Sequence, residues 1–236
     1  MSGHIVKSYD AEFSELDRMT AQIGGLAEKL LAESFEAVMQ RDPKLAGRAI
    51  ESDRAIDLIE RQVQERAVTM IARRQPMAND LRHIMTVLRI AGDLERIGDL
   101  SKNIAKRALA ISSETHPKPL MNGLRHMHEL AMRQLKDVLD AYGTRDAEKA
   151  RKVWLDDAGL DALYNSVFRE LLTYMMEDPR NIGLCIHLLF AAKNIERIGD
   201  HTTNIAEDVH FLVTGSALTD DRPKGDDTST LVVNQP

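Results

Sequence analysis

The sequence predicts an all-α protein with six long helices, arranged as two tandem three-helix bundles that arose by internal duplication. Three observations support this prediction. Aromatic residues make up only 4% of the chain while good helix formers are abundant. Apolar residues recur at helical spacing over long segments. A charged motif also occurs twice at a fixed offset, and repetition of this kind indicates duplicated structural units.

The repeated motif contains Glu, Arg, Ile, Gly and Asp in succession. It occupies 95–99 in the first half and 196–200 in the second, 101 positions later, and each copy is followed by Asn-Ile-Ala at 103–105 and 204–206. Any chemistry that the motif carries is therefore expected to be built twice.

The first half is predicted to contain three helices. The first runs to about Gln40. Asp42-Pro43 begins the second, because Asp is a favourable N-cap and Pro fits the first helical position. That helix ends near Gln75-Pro76, and the third extends from Ala78 to about Ser112.

The second half repeats this order, with helices over Leu120–Tyr142 and Asp146–Met176 and a last one from Asp178-Pro179 to about Val213. We therefore place the first bundle at 9–112, a linker at 113–119 and the second bundle at 120–214. The segment 215–236 is charged, small and non-periodic, which predicts a disordered tail.

Composition excludes several classes of protein. The formal charge is −6 and no basic cluster is interleaved with aromatics, so we expect no nucleic-acid partner. The single cysteine, Cys185, cannot form an intramolecular disulfide, and with no secretory signal this favours a reducing cytoplasm. No apolar run approaches the roughly 20 residues of a membrane-spanning helix, so direct insertion into a membrane is not expected.

Pairs of acids spaced four residues apart are the main candidate for a functional site. Residues at this spacing share one face of a helix. If neighbouring helices bring their pairs together, each half gathers four carboxylates, a donor set that suits Mg²⁺, Mn²⁺, Ca²⁺, iron or zinc. Asn103 and Asn204 could add neutral oxygens. The candidate residues are Asp53, Asp57, Glu95 and Asp99 in the first half, and Asp157, Asp161, Glu196 and Asp200 in the second.

The alternative is that these acids only face solvent. A stripe of isoleucines on the opposite side of the third helix predicts the core: Ile90, Ile97, Ile104 and Ile111. The chain would then be a helical scaffold or homo-oligomer without metal. A carboxylate metalloenzyme is the remaining alternative, but its Glu-x-x-His signature occurs only at Glu207 and His210, with no counterpart in the first half. No catalytic set is evident, so we predict that the chain is not an enzyme.

Taken together, the two three-helix units resemble the PhoU family of bacterial phosphate-signalling regulators over about residues 9–214. Each unit has an acid-x-x-x-Asp pair on its second helix and the Glu-Arg-Ile-Gly-Asp motif with Asn-Ile-Ala on its third. The segment 79–82 after Gln75-Pro76 also resembles the family's entry to that helix, whereas the second half departs from the pattern at 178–183.

The resemblance implies a cytoplasmic, non-enzymatic negative regulator of the phosphate-starvation (Pho) response. Such a protein restrains phosphate uptake by linking the ATPase subunit of the Pst phosphate transporter to the sensor kinase PhoR, at the inner membrane surface. We also expect a homodimer. The family's acid-x-x-x-Asp motifs bind divalent metal ions (Fe, Zn, Mg or Mn), which implies a ligand role for the eight acids named above.

Overall fold

The structure, a computed structural model, describes residues 2–114 and 118–218. Within these ranges the chain is helical and contains no strand, which confirms the predicted all-α class. The helices are α1 (Ser2–Gln40), α2 (Pro43–Arg74), α3 (Asn79–Ala110), α4 (Lys118–Thr144), α5 (Ala147–Leu155), α6 (Asp157–Glu177) and α7 (Ile182–Thr214), with a 3-10 turn at Pro179–Asn181 before α7. The predicted disordered tail lies outside the described residues from position 219 onward.

Equivalent turns end α1 and α4. Arg41 and Arg145 both have left-handed backbone conformations, with φ of 55° and 57°. The side chains of Asp42 and Asp146 then accept hydrogen bonds from backbone amides at the start of the next helix. The predicted start of α2 at Asp42-Pro43 is therefore correct, and the same capping begins α5.

One predicted helix is divided. The segment 146–176 was expected to be continuous, but Asp156 separates α5 from α6. The backbone carbonyl of Asp156 accepts a hydrogen bond from the side-chain amide of Gln134 on α4, at 3.1 Å, and the amide of Gly159 lies 3.3 Å from the same oxygen. This irregularity places Asp157 in the first turn of α6. Together α5 and α6 take the place of one helix, so the second half remains a three-helix unit.

The predicted core is confirmed. The isoleucine stripe of α3 (Ile90, Ile97, Ile104 and Ile111) is buried, and its counterparts on α7 include the buried Ile198 and Ile205. Cys185 is also buried, as expected of a side chain used for packing. Burial of one face of α3 and α7 fixes which faces carry the motif acids.

The two halves are joined through antiparallel contacts between α3 and α7. Arg89 near the start of α3 forms an ion pair with Asp208 near the end of α7, at 3.3 Å. Asp93 accepts a hydrogen bond from Asn204 at 3.4 Å and lies 2.7 Å from Nδ1 of His201. We call these contacts the inter-half junction.

A second set of contacts connects α1 with α4. One carboxylate oxygen of Asp17 accepts a hydrogen bond from the Tyr142 hydroxyl at 2.5 Å and lies 2.8 Å from Nε2 of His83. Its other oxygen is 2.6 Å from Nη2 of Arg145. Burial raises the pKa of Asp17, but the hydrogen bonds of His83 and Tyr142 outweigh it and hold the pKa at about 2. The two halves therefore meet through charged pairs as well as apolar side chains.

Candidate functional site

In the first half, α2 and α3 bring two of the predicted acids to one cation. Asp53 on α2 is buried, and Asp99 lies across from it on α3. The amine of Lys102 is 2.5 Å from Oδ2 of Asp53 and 2.5 Å from Oδ1 of Asp99. Lys102 is not among the site residues predicted from the sequence, which are all acids. A signal was present, since Lys102 follows Asp99 by three residues and so shares its face of the helix.

The other two acids of the first half, Asp57 and Glu95, add negative charge to the same region. Burial is the main reason that the pKa of Glu95 is raised; Arg96 opposes the rise, while Asp99 and Asp57 add to it. Arg96 lies 3.5 Å from Glu95 and is largely exposed. The carboxylates of α2 and α3 are thus close enough to repel one another, as the motif spacing predicts.

The electrostatics of Asp53 and Lys102 follow from this crowding. Burial raises the pKa of Asp53 above its usual value even though Lys102 opposes the shift, and the charges of Asp57 and Asp99 raise it further. Burial alone would lower the pKa of Lys102, but its hydrogen bonds to Asp53 and Asp99 outweigh burial and raise it. Lys102 is therefore charged at neutral pH, and it compensates the acids that surround it.

In the second half, three of the four predicted acids are buried: Asp157 and Asp161 on α6, and Glu196 on α7. The hydroxyl of Thr203 lies 3.0 Å from Oδ1 of Asp157 and 3.1 Å from the backbone oxygen of Gly199. These acids are more deeply enclosed than those of the first half, where only Asp53 is buried.

Glu196 has one satisfied and one unsatisfied oxygen. Its Oε1 lies 2.8 Å from the amine of Lys193, whereas its Oε2 is buried without a hydrogen-bond partner. Burial raises the pKa of Glu196; Lys193 opposes the rise, and the charges of Asp200 and Asp161 add to it. A buried carboxylate oxygen without a donor is costly, so this atom is a candidate for binding a cation.

Glycines of the motif allow the two helices of each site to approach. A β-carbon on Gly98 would lie 2.9 Å from Cδ1 of Ile56 and 3.3 Å from Oδ1 of Asp53. In the second half a β-carbon on Gly199 would overlap the side chain of Leu160. Both glycines thus provide clearance for the facing helix, and Gly98 also borders the acids.

Several residues that could have completed a metal site have partners elsewhere. The side-chain oxygen of Asn103 accepts a hydrogen bond from Lys106 at 3.3 Å, and Asn204 donates to Asp93. Glu207 accepts a hydrogen bond from the buried indole of Trp154 at 2.8 Å. These contacts give the asparagines and the Glu-x-x-His segment roles in packing.

The donor sets of the two halves differ in how well they suit a divalent ion. In the described part of the chain, no group of three or more His, Cys, Asp or Glu side chains is already arranged to hold a metal ion. The first half does not suit one, because the amine of Lys102 lies between Asp53 and Asp99. In the second half a lysine amine, that of Lys193, contacts Oε1 of Glu196, but the buried Oε2 has no hydrogen-bond partner and could bind an ion.

Comparison with known proteins identifies the family. A family model described as the PhoU domain matches residues 20–108 and 124–209, once in each half. The chain belongs to the PhoU family. The resemblance stated from the duplicated motif is thereby confirmed.

Relatives in this family match the chain over most of its length. The phosphate-specific transport system accessory protein PhoU homolog of Rhizobium meliloti (strain 1021) is 54% identical over 228 residues, which are 97% of this chain and 96% of the relative. The corresponding PhoU of Escherichia coli (strain K12) is 36% identical over 215 residues, covering 91% and 89%. The crystal structure of PhoU from Pseudomonas aeruginosa superposes with a TM-score of 0.85 at 38% identity and covers 88% of this chain and 100% of that one.

Over residues 2–114 and 118–218, no helix combines the length and the hydropathy needed to cross a bilayer.

Proposed function

We propose that this chain is the negative regulator of a phosphate-starvation response and restrains phosphate uptake. It acts in the cytoplasm, at the inner membrane surface, as an adaptor between the ATPase subunit of the Pst transporter and the sensor kinase PhoR. The observation that carries the proposal is the match to phosphate transport accessory proteins along almost the whole chain, at 54% identity to one of them. The role requires no chemical step, so the chain need not be an enzyme.

We further propose that the motif acids bind a divalent metal ion, and that the second half is the better site. Asp157, Asp161, Glu196 and Asp200 would hold the ion there. The proposal is supported by the burial of three of these side chains and by the unpartnered Oε2 of Glu196. A bound ion would supply positive charge where α6 and α7 bring carboxylates together. The candidate ions are Fe, Zn, Mg and Mn.

Deletion of the gene tests the regulatory role. In medium with abundant phosphate, the deletion strain should express a phosphatase reporter constitutively, because the restraint on the kinase is lost. A plasmid copy of the wild-type gene should restore repression. Further deletion of the PhoR gene should abolish the constitutive signal, because the adaptor acts through the kinase.

Two outcomes would contradict this role. Unchanged reporter output in the deletion strain would favour a helical scaffold without a regulatory function. Constitutive output that persists without PhoR would show that the chain does not act through that kinase. The expected homodimer is checked separately by sedimentation of the purified chain.

A further inference from the structure

Over 95–105 and its counterpart 196–206, only one of the differing positions changes formal charge, with histidine counted as neutral. The offset of 101 residues that superposes Glu95 on Glu196 and Asp99 on Asp200 also places Lys102 opposite Thr203. A charged amine in one half therefore corresponds to a neutral hydroxyl in the other. The acids, the glycine and the Asn-Ile-Ala that follows are the same in both copies, whereas Leu100 and Ser101 correspond to His201 and Thr202.

In the first half the amine lies where a bridging ion would have to lie. It contacts one carboxylate from each of two helices, Asp53 of α2 and Asp99 of α3, at 2.5 Å each. Both contacts join an ammonium to a carboxylate and are charge-assisted hydrogen bonds. Because the amine already occupies the space between the two carboxylates, a metal ion could reach both of them only by displacing the lysine.

In the second half the equivalent side chain brings no charge. Thr203 contacts Asp157 through its hydroxyl, 3.0 Å from Oδ1. A different lysine, Lys193, lies one turn before Glu196 on α7, and its amine contacts Oε1 of Glu196. Glu196 is only 4% exposed, and its Oε2 has no hydrogen-bond partner. The burial of charge is thus compensated differently in the two halves.

We propose that Lys102 replaces a divalent metal ion in the first half as a built-in cation, and that metal binding is confined to the second half. The role of Lys102 is inferred from its geometry alone. The restriction of metal binding to the second half rests on the proposed function. The duplicated protein would then hold a lysine between the acids of one half, whereas in the other half Lys193 contacts Oε1 of Glu196 and leaves Oε2 for an ion.

The test exchanges the residue that differs. Lys102→Thr gives the first half the residue that the second half has at this position. Lys106→Thr is the matched control, because Lys106 is an exposed lysine one turn further along α3. Glu196→Gln removes one carboxylate charge from the second site with little change in shape. Each full-length variant is stripped with chelator and then dialysed against Mn²⁺. Bound manganese per chain and the melting temperature, Tm, are measured with and without the ion.

We expect wild type and Lys106→Thr to bind the same amount of Mn²⁺. Lys102→Thr should bind more. Its Tm without metal should fall by roughly 6–20 °C, because a buried carboxylate loses its partner. Saturating Mn²⁺, about 100 times its Kd, should raise this Tm by roughly 5–10 °C. Glu196→Gln should lose the manganese that wild type binds.

Each part of the proposal can fail separately. If Lys102→Thr gains neither manganese nor a larger Tm response than Lys106→Thr, the lysine does not replace an ion. If Glu196→Gln keeps the wild-type manganese, the second half is not the site. If wild type binds none while Lys102→Thr does, the replacement stands and the metal binding proposed for the natural chain is wrong. The reporter experiment is independent of all three outcomes.

Discussion

At the scale of single residues, two glycines of α3 have different surroundings although they lie less than two turns apart. A β-carbon at Gly92 would have no atom within 4 Å, whereas one at Gly98 would press on Ile56 and Asp53. Glycine within a helix costs about 1 kcal/mol relative to alanine. Only at Gly98 is that cost explained by the approach of a neighbouring helix.

Substituting the two glycines tests this difference. Gly92→Ala should raise the free energy of unfolding by about 0.5–1 kcal/mol through helix propensity alone. Gly98→Ala should not show this gain, because the added methyl overpacks the contact of α2 with α3. Its free energy of unfolding should be roughly 1–3 kcal/mol lower than that of Gly92→Ala. Urea denaturation measures both. Equal stabilisation by the two substitutions would show that α2 adapts without strain.

The sequence was sufficient to predict which acids share a helix face, but not what compensates their charge. Four-residue spacing determines a shared helix face, so the grouping of Glu95 with Asp99 followed from helix geometry. The pairing of Lys102 with Asp53 depends on how closely α2 approaches α3. That distance is set by packing at Gly98 and Ile56, which no spacing within one helix encodes.

At the scale of the elements, the turns after α1 and α4 have the same backbone but different side-chain contacts. Arg41 and Arg145 both occupy left-handed positions, where a residue other than glycine is strained. Arg41 is exposed and its guanidinium lies 3.3 Å from the backbone oxygen of Glu114. Arg145 instead contacts the carboxylate of Asp17 and lies over the ring of Tyr142.

Glycine substitutions at these two turns should therefore differ in sign. Arg41→Gly should change the free energy of unfolding by between zero and about +1 kcal/mol, because relief of strain is partly offset by a more flexible unfolded chain. Arg145→Gly gains the same relief but removes a partner of Asp17, and should be destabilising by about 1–2 kcal/mol. Chemical denaturation compares them. Equal shifts would mean that the contact with Asp17 contributes nothing.

Helix starts were predictable where the signal is local, as at Asp42-Pro43. The break at Asp156 was not predictable in this way. It involves a hydrogen bond from Gln134, which lies on another helix and 22 positions earlier in the chain. Local sequence encodes caps well, whereas an irregularity held by a tertiary contact requires the packing of the helices to be known.

At the scale of the whole molecule, the inter-half junction contains a buried acid whose protonation affects stability. Burial is the main reason that the pKa of Asp208 is raised to about 6; Arg89 opposes the rise, and Asp93 and Glu207 add to it. Between about pH 4 and pH 6 the folded chain keeps a proton that the unfolded chain has lost. Asp208 therefore favours folding at low pH, and this contribution is lost as pH rises through about 6.

Asp208→Asn should remove this dependence. The free energy of unfolding of wild type, relative to the variant, should fall by on the order of 3 kcal/mol between pH 4 and pH 7. Thermal or urea denaturation across this range measures the difference. Asp80→Asn is the matched control because it removes the same formal charge from an exposed position of α3. A constant difference between wild type and Asp208→Asn would rule out the effect.

The duplication and the helical class of the molecule were predictable from the repeated motif, but the contacts between the halves were not. The two repeats use different residues at equivalent positions of the junction: Asp93 in the first corresponds to Asn194 in the second. An internal repeat indicates that two units exist. It does not indicate which of their faces meet.

The antiparallel pairing of α3 with α7 also constrains how the two repeats could diverge after the gene duplicated. A substitution at Asp93 alters the surroundings of His201 and Asn204 in the other repeat, so each change along these helices is subject to selection in two places at once. The helices α2 and α6 face mainly their own unit. A substitution on either of them therefore affects mainly the packing of its own repeat.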